Sequence, residues 1–374
     1  MTSALHYTED HALLRDEVRR WLAKRSPIAT VRRLTEDARG DDPAAWKELA
    51  ELGWLGLVIP ETYGGSGLGL THLTVLLEEA GRHLLPSPLL AAALAAVVIA
   101  RGGSDAQRLR FLPRLAAGDL VATLAHVEPS GAWHPRETTV TRAAGRLSGE
   151  KRQVWAAATA DLFIVPFRDA GAETPARLAL VEATAAGIHI IPEIGLDRTR
   201  RSGRLILQDV AVADTAILTV GGDEIFAHLL PRACTALAAE MAGGADALLA
   251  MTAAYATTRV QFGRPIGSFQ AVKHPLVNVL IGVEHARSLV YAASAALDAG
   301  APDAELLARM AKAHAGDTYV FAASRAVQFH GGFGFTIDCD AHFYLKRAQA
   351  SRPAFGDAAH HRRWIGDYVI ATTP

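Results

Sequence analysis

The chain of 374 residues is 50 % hydrophobic and 21 % charged, enough to bury a large core and to form two or three domains. Its formal net charge of -1 and pI near 7.0, with no basic run and no acidic tail, argue against a nucleic-acid or a cationic partner. Two cysteines, Cys234 and Cys339, lie far apart with no Cys-x-x-Cys spacing, which excludes a disulfide framework or a zinc site of the usual kind and favours a reducing compartment.

The first ten residues show no basic segment leading into an apolar one, so no secretory signal is expected. The longest apolar run, Pro88 to Ala100, falls short of the ~20 residues of a bilayer crossing, so a cytoplasmic protein without a membrane partner is expected. Thr8 can cap a helix that turns Leu13, Leu14, Val18, Trp21 and Leu22 to one face and Arg15, Asp16, Arg19 and Arg20 to the other. A second helix should open with Pro43 in its first turn, direct Trp46, Leu49 and Leu52 inward and stop at Gly53. A short apolar run with a glycine-rich loop, Gly53 to Gly67, comes next. Further helices are expected over Leu70 to His83, Leu89 to Ala100 and, capped by Ser104, Asp105 to Ala116.

Past Gly118 the texture changes. Short β-branched or aromatic runs alternate with turn residues: Val121 to Val127, Thr138 to Thr141, Val154-Trp155, Leu162 to Phe167, Leu178 to Val181, Ile188 to Ile191 and Arg204 to Leu207. That spacing predicts a small sandwich or barrel. From Ile225 helices return: Leu229 to Thr258, His274 to Ala299, Asp303 to Phe329, Ile337 to Ala348 and Ala358 to Ile370. The fold class is therefore α+β and multidomain: an N-terminal helical domain (1–118), a middle β-barrel or sandwich domain (119–222) and a C-terminal four-helix-bundle domain (223–374).

Between two of these helices, Tyr255 to Pro275 reads as a helix end, a tight turn at Phe262 to Gly267 and a new helix start. Arg259 and Arg264 stand in the turn. A guanidinium at a helix end matches pyrophosphate oxygens in geometry and charge, although an arginine-capped helical hairpin accounts for the stretch equally well.

Arg259-x-x-Phe262-Gly263-x-Pro265-Ile266 followed by Phe269-Gln270, and then Gln328-x-x-Gly331-Gly332-x-Gly334-Phe335-Thr336, resembles the FAD-binding signature of the acyl-CoA dehydrogenases. The glycine-rich loop after Gly53 resembles the family's N-terminal signature, and the order helical, β, helical is the family's own. The resemblance implies α,β-dehydrogenation of a CoA thioester, with FAD as cofactor and an electron-transfer flavoprotein as acceptor. It also implies that Arg259, Phe262, Gln270, Gln328, Gly331 and Gly332 reach across a subunit interface to the FAD of a neighbouring chain. Glycines suit that task because they let backbone N–H groups approach phosphate or adenine.

Two other parts of the family pattern are altered. Where members carry Thr-Glu-Pro and a following Gly-Ser-Asp, this chain has Val127-Glu128-Pro129-Ser130-Gly131-Ala132-Trp133-His134, with Val127 at the threonine and Trp133 at the serine. After Gly149-Glu150-Lys151, Gln153 replaces the tryptophan and Trp155 the hydroxyl that contact the isoalloxazine. The catalytic glutamate is missing from both places the family uses: spacing from Tyr344-Leu345-Lys346-Arg347 puts Phe355 at one, and counting back from Tyr255 puts Ala233 at the other. Glu240 and Asp357 are the nearest substitutes. Glu240 suits a buried hydrogen-bonding role or a raised-pKa base, and Asp357 more simply caps the last helix.

Intact anchors without a base or flavin donors are similar to the non-catalytic partner subunit of actinobacterial α2β2 acyl-CoA dehydrogenases that act on steroid side-chain CoA esters. The resemblance then implies a second acyl-CoA dehydrogenase-like chain that supplies the carboxylate. Two alternatives stay open: a self-sufficient homotetramer using Glu240 or Asp357, and a structural or binding protein that kept only the fold.

Overall fold

The computed structural model describes residues 8–171 and 175–372. Helix α1 (Glu9–Arg25) starts at the expected cap, with the Thr8 hydroxyl 2.8 Å and the Thr8 N–H 3.1 Å from the His11 ring. Val18 and Leu22 are buried, but Leu13 is 62 % exposed, contrary to the expected inner face. Five residues at the helical repeat turn it ~140° from Val18, while His11, seven residues before Val18, takes the inner position. A helix that the sequence reading did not foresee, α2 (Ile28–Glu36), follows Pro27, and α3 (Pro43–Glu51) is capped by Asp42, whose carboxylate accepts from the Ala44 N–H at 2.9 Å.

By its contacts the chain divides into two units. One comprises Met1–Arg33, Leu70–Leu85 and Pro231–Pro374, the other Leu34–Gly69 and Pro86–Leu230. The first is helical, built from α1, α4 (Gly69–Arg82), most of α7 (Gly222–Thr258), α8 (Gln270–Ala299), α9 (Ala304–Phe329), α10 (Ala341–Ser351) and α11 (Ala358–Thr372). Within it α4 and α7 touch backbone to backbone. A Cβ at Gly81 would lie 2.0 Å from the Glu240 carbonyl oxygen, and one at Gly243 would lie 1.7 Å from that of Glu78. The Asp298 carboxylate, near the end of α8, accepts from the Leu70 and Thr71 N–H groups at 2.8 and 2.9 Å and so caps α4 from outside its own sequence. Buried Glu78 takes the Arg287 guanidinium at 2.7 Å and the Tyr291 hydroxyl at 2.8 Å. By length and composition α7 could cross a membrane, yet 72 % of its most apolar window is buried, as in a core helix.

The second unit holds α3, α5 (Leu89–Gly102), α6 (Asp105–Ala116) and a curled sheet of seven strands. Ser104 and Gln107 form the box that opens α6, side chain to backbone in both directions, at 3.3 and 2.8 Å. The strands are β1 (Ala122–Leu124), β2 (Thr141–Ala143), β3 (Arg146–Trp155), β4 (Leu162–Asp169), β5 (Arg177–Glu182), β6 (Ile188–Glu193) and β7 (Ser202–Ala211). Their order is β1-β4-β2-β3-β7-β6, with β5 on the other edge of β4. β4 pairs with β1 through Leu162–Ile164 and with β2 through Arg168 and Asp169, and this change of neighbour lets the sheet curl. The run Leu162 to Phe167 is buried throughout, as a central strand should be. Thr138, Thr139 and Val140 are irregular, although strand was expected: the Thr138 hydroxyl donates to the Pro166 carbonyl of β4 at 2.9 Å.

Candidate functional site

α7 ends at Thr258, and the Arg259 N–H donates to the Tyr255 carbonyl at 2.9 Å. Two short strands follow, β8 (Val260–Gln261) and β9 (Arg264–Pro265), joined by Phe262 and Gly263 with φ of 54° and 76°. This is the primed turn that matches strand twist. Gly263 adopts it freely. Phe262 does so against the usual preference of a bulky residue, and 91 % of it remains exposed. Arg264 lies over the Phe269 ring at 4.2 Å, which stiffens the hairpin.

The second motif adjoins this hairpin. Tyr255 stacks on His330 with ring centroids 4.3 Å apart and donates its hydroxyl to the His330 carbonyl at 3.4 Å, which ties the end of α7 to the end of α9. Gly331 follows with φ 63°, which calls for glycine. Gly332 has ordinary helical φ, and a Cβ there would meet nothing within 4 Å, so nothing in the chain itself demands glycine at that position. Arg259, Phe262, Gln270, Gln328, Gly331 and Gly332 are all exposed on the helical unit. Among the described residues the Arg259 guanidinium has no acidic partner. Cationic, aromatic and glycine-lined at once, this surface suits the phosphates and adenine of a nucleotide cofactor.

The two positions where the family resemblance expects a base, 233 and 355, also belong to this unit. Ala233 is fully buried, and Phe355 is buried with a φ of 56°, its ring in the core. The turn that carries Phe355 is pinned by Lys312, whose ammonium donates to the Arg352 carbonyl at 3.0 Å and the Gly356 carbonyl at 2.9 Å. Burial pushes Lys312 down to about 8. Beside it the Cys234 Sγ lies 3.8 Å from His361 Nε2. Burial raises the thiol to about 11 and lowers the imidazole to about 3, so both stay neutral and do not form an activated nucleophile pair.

The two substitute carboxylates are engaged. Glu240 receives the Arg347 guanidinium at 2.6 Å, with both side chains buried. Asp357 accepts the His360 N–H at 2.8 Å at the start of α11, and that bond holds its carboxyl below the ordinary range. Neither Arg347 nor Lys312 was singled out from sequence. The available signal was a lone lysine in an alanine-rich stretch of α9, where an ammonium must find carbonyl partners if it is buried.

The altered cradle lies in the second unit. Val127 pairs as an isolated bridge with Arg152, whose N–H donates to the Val127 carbonyl at 2.8 Å; valine offers no hydroxyl there. Trp133, at the serine position, packs its ring 5.7 Å from that of Phe226. The Gln153 side chain is exposed on a residue with φ of 50°, and its N–H is taken by Glu193 at 2.9 Å. Buried Lys151 and Glu128 pair with each other, and Lys151 also donates to the Thr138 hydroxyl at 2.8 Å. The two hydroxyls of the family pattern are thus absent, and the buried Lys151 and Glu128 are committed to one another. The hydroxyl donors that the family pattern offers a flavin ring are missing from this unit, whereas the hairpin surface of the helical unit suits a nucleotide end.

Comparison with known proteins agrees with the fold along the chain. Residues 8–119 match the model of the acyl-CoA dehydrogenase N-terminal domain, and residues 222–370 match that of the acyl-CoA dehydrogenase C-terminal domain. The acyl-CoA dehydrogenase IpdE2 of Mycolicibacterium smegmatis is 32 % identical over 93 % of this chain and 95 % of its own length. Among solved structures, a variant of the Tcur3481-Tcur3483 steroid ACAD superimposes with a TM-score of 0.87 at 32 % identity, covering 97 % of this chain and 98 % of that one. The ChsE4-ChsE5 complex from Mycobacterium tuberculosis gives 0.88 at 28 % identity, with 99 % of both chains covered.

Proposed function

Because the chain belongs to the acyl-CoA dehydrogenase family, a family of FAD-dependent oxidoreductases, we propose that it serves as the non-catalytic subunit of a hetero-oligomeric member. It lends Arg259, Phe262, Gln270, Gln328, Gly331 and Gly332 to a flavin seated in a second, related chain that carries the catalytic carboxylate. One observation supports this reading: the residues we assign to the nucleotide are exposed, while buried Ala233 and Phe355 stand where a base would be expected.

When bound, FAD supplies the two-electron acceptor for α,β-dehydrogenation of a CoA thioester. This chain's part is to hold and orient: the Arg259 guanidinium meets phosphate charge, the Phe262 ring covers an aromatic face, and Gly331 and Gly332 bring backbone N–H groups close. The relatives' names, a steroid dehydrogenase and a two-chain complex, support an α2β2 assembly acting on a bulky steroid-type CoA ester. An electron-transferring flavoprotein completes the scheme as acceptor, in the cytoplasm. The working division is 1–118, 119–222 and 223–374, the last carrying the lent surface.

Co-expression with a candidate partner chain tests the reading. The purified complex should hold about half a flavin per polypeptide, and this chain alone should hold little. A yellow homo-oligomer with one FAD per chain and turnover of its own would overturn it. In the complex, Arg259→Ala should lower flavin affinity by at least about tenfold, since a charge-assisted contact of about 1.5–3 kcal/mol is lost.

A further inference from the structure

Trp155 ends β3, and its carbonyl accepts the Thr123 hydroxyl at 2.8 Å, so the backbone beneath the indole is fixed. The antiparallel pairing of β3 with β7 sets Trp155 opposite Ser202, and the Ala156 N–H donates to the Arg201 carbonyl at 2.9 Å. This register delivers Arg200 to the face of the indole, with its guanidinium 4.8 Å from the ring centroid. Arg201 points the other way. Its guanidinium donates to the Thr35 carbonyl at 2.9 Å and the Asp37 carbonyl at 2.5 Å, and its stem lies so close over Gly40 that a Cβ there would come within 2.5 Å. The strand entry that carries Arg200 is therefore clamped and cannot swing aside cheaply. Trp155, Arg200 and Arg201 line a small cleft with about 30 Å³ for water, room for a water or two.

We propose that Trp155 and Arg200 form a built-in plug: the indole and the guanidinium stacked on it take the place of an isoalloxazine, so this chain's own flavin cleft is closed by packing and not merely short of donors. The proposal rests on the reading of this chain as the lending subunit and adds a reason why an assembly of two chain types would carry one flavin per pair. Closure by a cation over an indole also explains how an arginine can replace a neutral ring system in a cleft without becoming a bare buried charge.

The test uses the full chain alone, with lumiflavin, the isolated ring system, as probe and quenching of its fluorescence as readout. Trp155→Ala with Arg200→Ala should bind lumiflavin at least tenfold more tightly than the wild-type chain. Arg200→Ser alone, which keeps the indole and spares the strand, should gain about threefold and stands in if the double variant fails to fold. If folded variants, matched to wild type by circular dichroism, gain less than twofold, the plug is refuted. A wild-type chain that already binds lumiflavin as tightly as the double variant refutes it too. These results separate from those on the lending role: a complex with half a flavin per polypeptide and no gain in the variants keeps that role and removes the plug.

Discussion

Glu240 shows how far the identity of one residue falls short of its role. In sequence it is a carboxylate in an apolar helix, equally suited to take a proton or to hold a partner. The structure pairs it with Arg347 at 2.6 Å out of solvent, where its charge is spent on a neighbour. Glu240→Gln in the complex should leave turnover within a few fold while lowering stability by about 1–3 kcal/mol, because a buried guanidinium loses its counter-charge but keeps a hydrogen-bond acceptor. Steady-state turnover and thermal melting on one preparation check this; a thousand-fold fall in turnover with unchanged melting would make Glu240 the base. His361 gives a second residue-scale prediction. Its folded pKa of about 3 lies below the ordinary 6.5, so the unfolded chain takes up a proton that the folded chain refuses. Stability is full above pH 6.5 and is lost as pH falls toward 3, at about 1.4 kcal/mol per pH unit from this group. His83 and His126, each lowered to about 4 by burial, act with the same sign. Melting temperature followed from pH 7 to 4 should fall, and His361→Phe should flatten the slope.

At the scale of elements, the contact of α4 with α7 is the most demanding in the helical unit. Gly81 and Gly243 each face a carbonyl of the other helix, and α7 also turns Gly244 toward the Tyr319 ring, with a Cβ there 2.5 Å from its nearest atoms. Gly243→Ala should cost about 3 kcal/mol, at the upper end for overpacking, since backbone must move; chemical denaturation of the purified variant measures it. Much of this level was legible in sequence. Caps at Thr8 and Ser104 and the proline at 43 marked the helix starts, and β-branched runs marked most strands, because both are local preferences. Two features were not legible: α2, at nine residues, is too short for a periodic face to declare itself, and Thr138 leaves the sheet for a carbonyl remote in sequence. The site divides the same way. The hairpin at Phe262 and the glycines after His330 could be found from spacing, while the pairing of Glu240 with Arg347 and the stacking of Arg200 on Trp155 could not, since no short-range pattern encodes them.

For the whole molecule, the loss of both the expected base and the expected flavin-facing hydroxyls rules against repair by one residue. Ala233→Glu would add a carboxylate to a fully buried position, yet Val127, Gln153 and Trp155 would still offer no flavin contacts in the sheet-bearing unit. The variant chain expressed alone should therefore remain without acyl-CoA oxidation in a dye-reduction assay, and its solubility should fall, because an unpaired buried carboxylate is expensive. Turnover from that single change would show that the cradle can still seat a flavin.

The hairpin tip at Phe262 has a consequence for supply. An aromatic side chain 91 % exposed at the end of a rigid turn, with Phe335 of the second motif equally bare, is adhesive until something covers it. A cell that makes this chain in excess of whatever covers those rings gains no spare capacity and accumulates a sticky surplus. Expression in balanced amounts with its cover thus becomes a requirement of colloidal stability. Phe262→Ser should raise the soluble yield of the chain made alone, by a factor read directly from the supernatant, while weakening flavin retention in the proposed complex.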